Sequence, residues 1–139
     1  LKTIHYGFDL KAKEWLQEKI DVSRFDDVAL IYIKENEEII GCFGANDMHP
    51  KLDINLNIAG LPNRYWGTRG FFRAIFTYLF VQLELRRVTA RVEYGNTLSR
   101  ALCERLGFSV EGKMLEAAKN GDDLVIYGML KNECKWIGN

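Results

Sequence analysis

The sequence predicts an α/β domain built on a mixed sheet, and three observations carry that expectation. The run Leu52-Asp53-Ile54-Asn55-Leu56-Asn57-Ile58 alternates strictly, as a strand with one apolar and one polar face does. The stretch from Phe71 to Val81, interrupted by Arg73 and Thr77, is apolar almost all round and reads as a central, buried helix. A second helix is bracketed by its own start and stop signals, Asn96 and Gly107, with strand-like sequence on both sides.

The elements follow in order. Asp9 is the N-cap of a helix from Leu10 to Ile20, with Leu16 and Ile20 in helical register. The segments from Val28 to Lys34 and from Glu38 to Ala45 are rich in β-branched and aromatic residues. The polar turn Glu35-Asn36-Glu37 joins them as a hairpin. After the alternating strand, Gly60 to Gly70 is a loop broken by Pro62, Asn63, Gly67 and Gly70. The central helix then runs to about Leu85, and Arg87 to Tyr94 is the next strand. The helix after Asn96 carries a core stripe of Leu98, Ala101, Leu102 and Leu106, and Gly107 ends it in the left-handed conformation. Phe108 to Ala117 and Leu124 to Leu130 form a last hairpin around Asn120-Gly121-Asp122. The expected order is α-β-β-β-α-β-α-β-β, one domain over residues 1–139 without linker or repeat.

Composition narrows the function classes. The chain has 139 residues, 47% apolar and 27% charged, with nineteen basic residues balancing nineteen acidic ones. That balance argues against a dedicated nucleic-acid or membrane-surface binder, either of which needs a basic excess. Cys42, Cys103 and Cys134 fall in no metal-like spacing and are expected to be reduced thiols of a cytoplasmic protein. His5 and His49 have no metal-like neighbours, so no metal site is expected. Arg86-Arg87 flanks a strand and has no aromatic platform to suggest nucleic acid. The chain opens at Leu1 without Met, and residues ahead of it are expected to be missing or processed.

From Arg64 to Trp136 an ordered set of short motifs appears. It comprises Tyr65-Trp66-Gly67 before the central helix, Arg87-Val88-Thr89-Ala90-Arg91-Val92 and Asn96-Thr97-Leu98-Ser99. It continues with Leu106-Gly107-Phe108, Glu111-Gly112 and Tyr127-Gly128-Met129-Leu130. In order and spacing this set resembles the GNAT acyltransferases, above all the branch that includes the ribosomal-protein N-terminal acetyltransferases. The resemblance covers about half the chain. It implies a central mixed, mostly antiparallel sheet flanked by helices, and transfer of an acetyl group from acetyl-coenzyme A to a primary amine. The acceptor would be an amine-bearing protein, through its N-terminus or a lysine, or a small molecule. Oligomeric state, a homodimer included, stays open.

The resemblance also assigns residues. In the family a loop of the type Gln/Arg-x-x-Gly-x-Gly/Ala at a helix N-terminus holds the pyrophosphate, because free backbone N–H groups there suit an anion. Arg64-Tyr65-Trp66-Gly67-Thr68-Arg69 matches except at the last position, where Arg69 replaces the small residue. A second register from Trp66 puts Arg69 and Phe71 where small residues are expected. Arg69 and Arg73 share a face at the start of the helix, where cations oppose its dipole; with Arg64 upstream they suggest a bound anion. Arg64, Trp66, Gly67, Thr68, Arg69, Gly70 and Arg73 are therefore the candidate phosphate-end residues.

Asn96 falls where the family's Asn meets the pantetheine arm, and it serves equally as a helix cap; Ser99 lies along the same side. Cys103 occupies the position of a Tyr that protonates the departing thiolate in many relatives, with Ser99 and Tyr94 as other donors. Near the position of a catalytic Glu in some relatives stands Asp53, the first candidate for general base, with Glu93 second. Asn57 or Ile58 would give the backbone N–H that polarises the thioester carbonyl. Trp15 and Trp136 are read as packing, as is Trp66 beyond its place beside the loop. The reading kept beside catalysis is a GNAT fold that has lost its activity and serves as a binding or assembly module.

Overall fold

The computed structural model of the chain describes residues 1–20 and 29–138. Along the chain run β1 (Lys2–Gly7), α1 (Leu10–Lys19), β2 (Leu30–Glu35), β3 (Glu38–His49) and β4 (Asp53–Gly60). They are followed by α2 (Arg69–Thr77), which continues as a π-helical turn (Tyr78–Gln82), β5 (Arg87–Glu93), α3 (Thr97–Leu106), β6 (Ser109–Met114) and β7 (Leu124–Leu130). The strands form one seven-stranded sheet in the order β1-β2-β3-β4-β5-β7-β6. Neighbours pair antiparallel except β4 and β5, which run parallel.

The sheet is covered unequally. On one face, Ile31, Ile54, Leu56, Val88 and Ala90 pack against Phe71, Phe72, Ile75 and Phe76 of α2 and Cys103 and Leu106 of α3. On the other, α1 lays Ala12 and Leu16 on Leu30, Tyr32 and Cys42. This arrangement follows from period-2 alternation in the strands and from one buried stripe on each helix.

Local chemistry placed three helix ends where the sequence predicts them, whereas α2 starts at Arg69, inside the expected loop, and its helical turns end at Gln82 short of Leu85. Asp9 accepts the Ala12 N–H at 3.0 Å, Asn96 accepts the Ser99 N–H at 3.2 Å, and Gly107 closes α3 at φ 108°. The β2–β3 hairpin turns through Asn36 and Glu37, both left-handed at φ 50° and 72°. Two such residues give the turn the twist that the strands require, although neither is Gly.

Several expectations are corrected. β1 was not foreseen, because it is an edge strand that joins the main core through Ile4 alone. The expected strand start at Val28 lies outside the described residues. Leu52 precedes β4 and is exposed. α2 is not apolar all round, since Arg69, Gly70 and Arg73 form an exposed face. In α3 the expected core stripe is rotated: Leu98 is 84% exposed and Ala101 is exposed, while Cys103 and Leu106 face the core. That rotation decides what lines the site.

Candidate active site

β4 and β5 share a single register pair, Asn55 with Thr89. Beyond it the strands part, and the edge of β4 that faces β5 has no ladder partner along Leu56 to Ile58. The wedge between them opens into a cavity of about 480 Å³. Its walls come from both faces of the sheet, with Leu56, Val92 and Cys103 from the side of α2 and α3. Asn57, Glu93 and Lys19 belong to the opposite side, that of α1. The opening therefore passes through the sheet.

A second cavity, of about 710 Å³, continues the first along α3 and shares Ile58, Asn96, Ser99 and Leu102 with it. Leu98, Ala101, Leu102 and Arg105 form the α3 wall of this groove, the i, i+3, i+4, i+7 face of the helix. The exposure of Leu98 is thus the exposure of a groove wall. Opposite stand Gly60, Trp66 and Gly67. The Trp66 indole lies directly against the backbone of Gly60, where a Cβ would collide with the ring, and a Cβ on Gly41 would stand 3.1 Å from the Trp66 Cβ. Trp66 also meets Phe71 and Phe72 edge-on, with ring centroids 6.3 and 6.1 Å apart. It is a packing pillar whose edge lines the groove.

The loop ahead of α2 presents donors. Thr68 caps the helix by accepting the Phe71 N–H at 3.1 Å, and its carbonyl accepts the Phe72 N–H. The N–H groups of Gly67, Arg69 and Gly70 have no acceptor among the described residues. Arg105 comes to this loop from α3: its Nη2 lies 3.4 Å from where a Gly67 Cβ would be. Among the described residues it has no carboxylate partner. The sequence reading missed Arg105, although it lies on the same helical stripe as Leu98 and Leu102.

Arg64, predicted for the phosphate end, lines the second cavity, but its guanidinium is paired with carboxylates. It donates to Glu35 at 2.7 and 3.2 Å and to Glu38 at 2.7 Å, which uses its guanidinium fork on two carboxylates. Arg64 hydrogen-bonding in turn holds the Glu35 carboxyl below its ordinary value. Arg69 and Arg73 are exposed and unpaired among the described residues, but neither lines the groove.

The catalytic candidates separate clearly. Asp53 stands before the splay and lines neither cavity; it accepts the Thr89 hydroxyl at 2.8 and 3.0 Å and sits 3.5 Å from Arg87 Nε. The strand register therefore removes it from the opening. Glu93 does line the cleft. Cys103 lines it too, but burial pushes its thiol up to about 12, which makes it a weak proton donor to a thiolate. Ser99 faces both cavities. Tyr94 does not, since its exposed ring lies under the Arg100 guanidinium at 4.5 Å. Asn96 keeps both roles open: its Oδ1 caps α3 while the residue lines both cavities. Among the described residues no cluster of His, Cys, Asp and Glu could hold a metal ion, and no helix is long and apolar enough to cross a membrane.

The parallel pair thus parts after one register position, and a groove runs from the wedge to the start of α2. The chain belongs to the acetyltransferase (GNAT) family, whose domain it matches over residues 9–109. It is similar to YdaF of Bacillus subtilis (strain 168), provisionally named a ribosomal N-acetyltransferase. The two are 46% identical over 69 residues, 48% of this chain and 37% of that protein. An uncharacterized N-acetyltransferase, p20 of Bacillus licheniformis, is 30% identical over 113 residues, 74% of this chain and 61% of its own. A mutant of the spermidine N-acetyltransferase SpeG from Vibrio cholerae superposes with a TM-score of 0.77, over 99% of this chain and 96% of that one. At 16% identity that likeness shows the fold. The chain spans about two-fifths to three-fifths of the length of the curated relatives it matches.

Proposed function

We propose that this chain transfers an acetyl group from acetyl-coenzyme A to a primary amine by direct attack in a ternary complex. The observation that carries the reading is the through-sheet opening at the Asn55–Thr89 pair, which lets two substrates meet from opposite faces. The groove along α3 takes the coenzyme. The Gly67, Arg69 and Gly70 N–H groups, with Arg105, suit its phosphates, and the Asn96 amide N–H group suits an amide-rich arm. Arg69 and Arg73 add positive potential at the start of α2. The coenzyme supplies an activated acyl carbon whose bond to sulfur breaks as the bond to nitrogen forms.

The residues divide the remaining work. The β4 amide at Asn57 or Ile58, lacking a strand opposite, polarises the thioester carbonyl. Glu93, the carboxylate at the cleft, takes the proton released by the amine, directly or through water. Ser99 is the better-placed donor toward the departing sulfur, since Cys103 holds its proton too tightly. Among amines, a protein N-terminus is favoured, on the likeness to YdaF and of the Tyr127 to Trp136 tail.

Loss of catalysis is the second reading, favoured by one observation: Arg64 lines the groove, but its guanidinium is taken up by Glu35 and Glu38. Thermal unfolding with and without acetyl-coenzyme A tests both. At a hundredfold excess over the dissociation constant, binding adds about 2.7 kcal/mol of stability. A shift followed by coenzyme A release with amino-terminal peptides supports transfer. A shift without release on any amine supports the binding module, and no shift at saturating ligand removes the coenzyme site.

A further inference from the structure

Helix α3 turns two neighbouring stripes to the two cavities. Leu98, Ala101, Leu102 and Arg105 face the coenzyme groove, whereas Ser99, Leu102, Cys103 and Leu106 face the cleft. Each set keeps the i, i+3, i+4, i+7 spacing of one helix face, and Ser99 and Leu102 border both cavities. Against the second stripe the sheet sets Leu56 of β4 and Ala90 and Val92 of β5.

This inner wall is apolar beyond Ser99. Leu56, Ala90, Val92, Cys103 and Leu106 all line the cleft, although they belong to the main core. Alternation along β5 sends Arg91 and Glu93 to the α1 side, away from them. Burial pushes the Cys103 thiol up to about 12, so the neutral thiol is a small hydrophobe here. Core side chains normally meet one another with few voids, so a cleft walled by them suits an apolar occupant. An acetyl group would bring only its methyl to these five side chains.

We propose that the donor carries an acyl group longer than acetyl, laid between α3 and the sheet. A straight chain of about four to six carbons runs beside the roughly 10 Å of helix from Ser99 to Leu106. The occupant belongs to the coenzyme thioester and not to the amine, for two reasons. This wall continues the coenzyme groove through Ser99 and Leu102, and it lies on the side of the sheet opposite α1. The inference rests on the acyl-transfer reading above and changes only the group on the carbonyl carbon. The C–N bond forms as the C–S bond breaks, the amine proton passes to Glu93, and the sulfur leaves as the thiol with a proton relayed through Ser99.

The test is calorimetry with free coenzyme A and its acetyl, propionyl, butyryl and hexanoyl thioesters, without any acceptor. Affinity should rise about fourfold for each methylene added between acetyl and butyryl, the worth of burying that group. Cys103→Leu fills the cleft from the helix and Ala90→Val from the sheet. Each should flatten the series while the affinity for free coenzyme A holds. Should neither variant fold, the methyl resonances of Leu56 and Val92 in the wild type decide: they should move further with butyryl- than with acetyl-coenzyme A. Equal affinity along the series, a slope unchanged in both variants, or equal methyl shifts overturns the proposal alone. If neither free coenzyme A nor any thioester binds, the transfer reading falls and the proposal with it.

Discussion

Gly67 and Arg105 face one another across the groove, with the Arg105 Nη2 3.4 Å from the position a Gly67 Cβ would take. A glycine backbone and a guanidinium that has no carboxylate partner among the described residues thus meet at the start of α2. Arg105 is exposed on α3, so Arg105→Ala should leave the melting temperature nearly unchanged. Coenzyme A affinity should fall on the order of tenfold, the worth of a charge-assisted bond to phosphate. Isothermal calorimetry checks this; unchanged affinity would take Arg105 out of the site.

Arg69 stands in the first turn of α2, which holds no acidic residue. Replacing it by Glu should raise stability by about 0.3–1 kcal/mol, because an acid there complements the helix dipole. The same change should weaken coenzyme A binding by opposing the incoming phosphates. Chemical denaturation and calorimetry on Arg69→Glu read the two effects separately. A gain in stability with no loss of affinity would confine Arg69 to the helix.

The buried thiol of Cys103, pushed up to about 12, gives a third expectation. Cys103→Ala should keep kcat within about twofold, whereas Ser99→Ala should lower it if the hydroxyl passes a proton to sulfur. Linkage has a definite sign here. The neutral thiol is favoured in the fold, so its contribution is complete below the unfolded value near pH ~8.5 and is lost as pH rises toward about 12. Steady-state kinetics on both variants decides between them; a large kcat loss in Cys103→Ala with unchanged stability would restore the thiol as donor.

Asp9 offers a pH test of the fold itself. The hydrogen bond from the Ala12 N–H holds its carboxyl below the ordinary value against an opposing effect of burial, with help from the Tyr32 hydroxyl. A lowered value means stability that is present above the unfolded value near pH ~4 and lost as pH falls through the folded one. Wild type should exceed Asp9→Ala by about 1 kcal/mol at pH 7, and the gap should narrow below about pH 4. Urea titrations at pH 7 and pH 3 measure it.

Much of the fold was legible because its signals are local. Asp9, Asn96 and Gly107 end helices through bonds that reach only a few residues, and the Asn36-Glu37 turn is set by its flanking strands. The site was less legible, because its assignments depend on register. Leu98, Ala101 and Leu102 announce an apolar face, but periodicity does not say whether that face meets a core or a groove, and Arg105 was overlooked with it. Asp53 and Asn57 look alike on an alternating strand. Only the place where β4 leaves β5 separates them, and that place is set by long-range packing. Arg64 matches the loop motif, yet its fate was decided by Glu35 and Glu38, two residues on distant strands.

The lone parallel pair has a mechanical consequence. With one register position and the Leu52 carbonyl, which accepts the Arg86 and Arg87 N–H groups, joining β4 to β5, the seven strands behave as two antiparallel plates, β1 to β4 and β5-β7-β6, fastened at one end only and backed by helices. A ligand spanning the gap acts as a strut between plates that the backbone leaves unbraced. Amide hydrogen exchange should therefore slow on both sides of the wedge at once when the groove is filled, even at strands the ligand never touches.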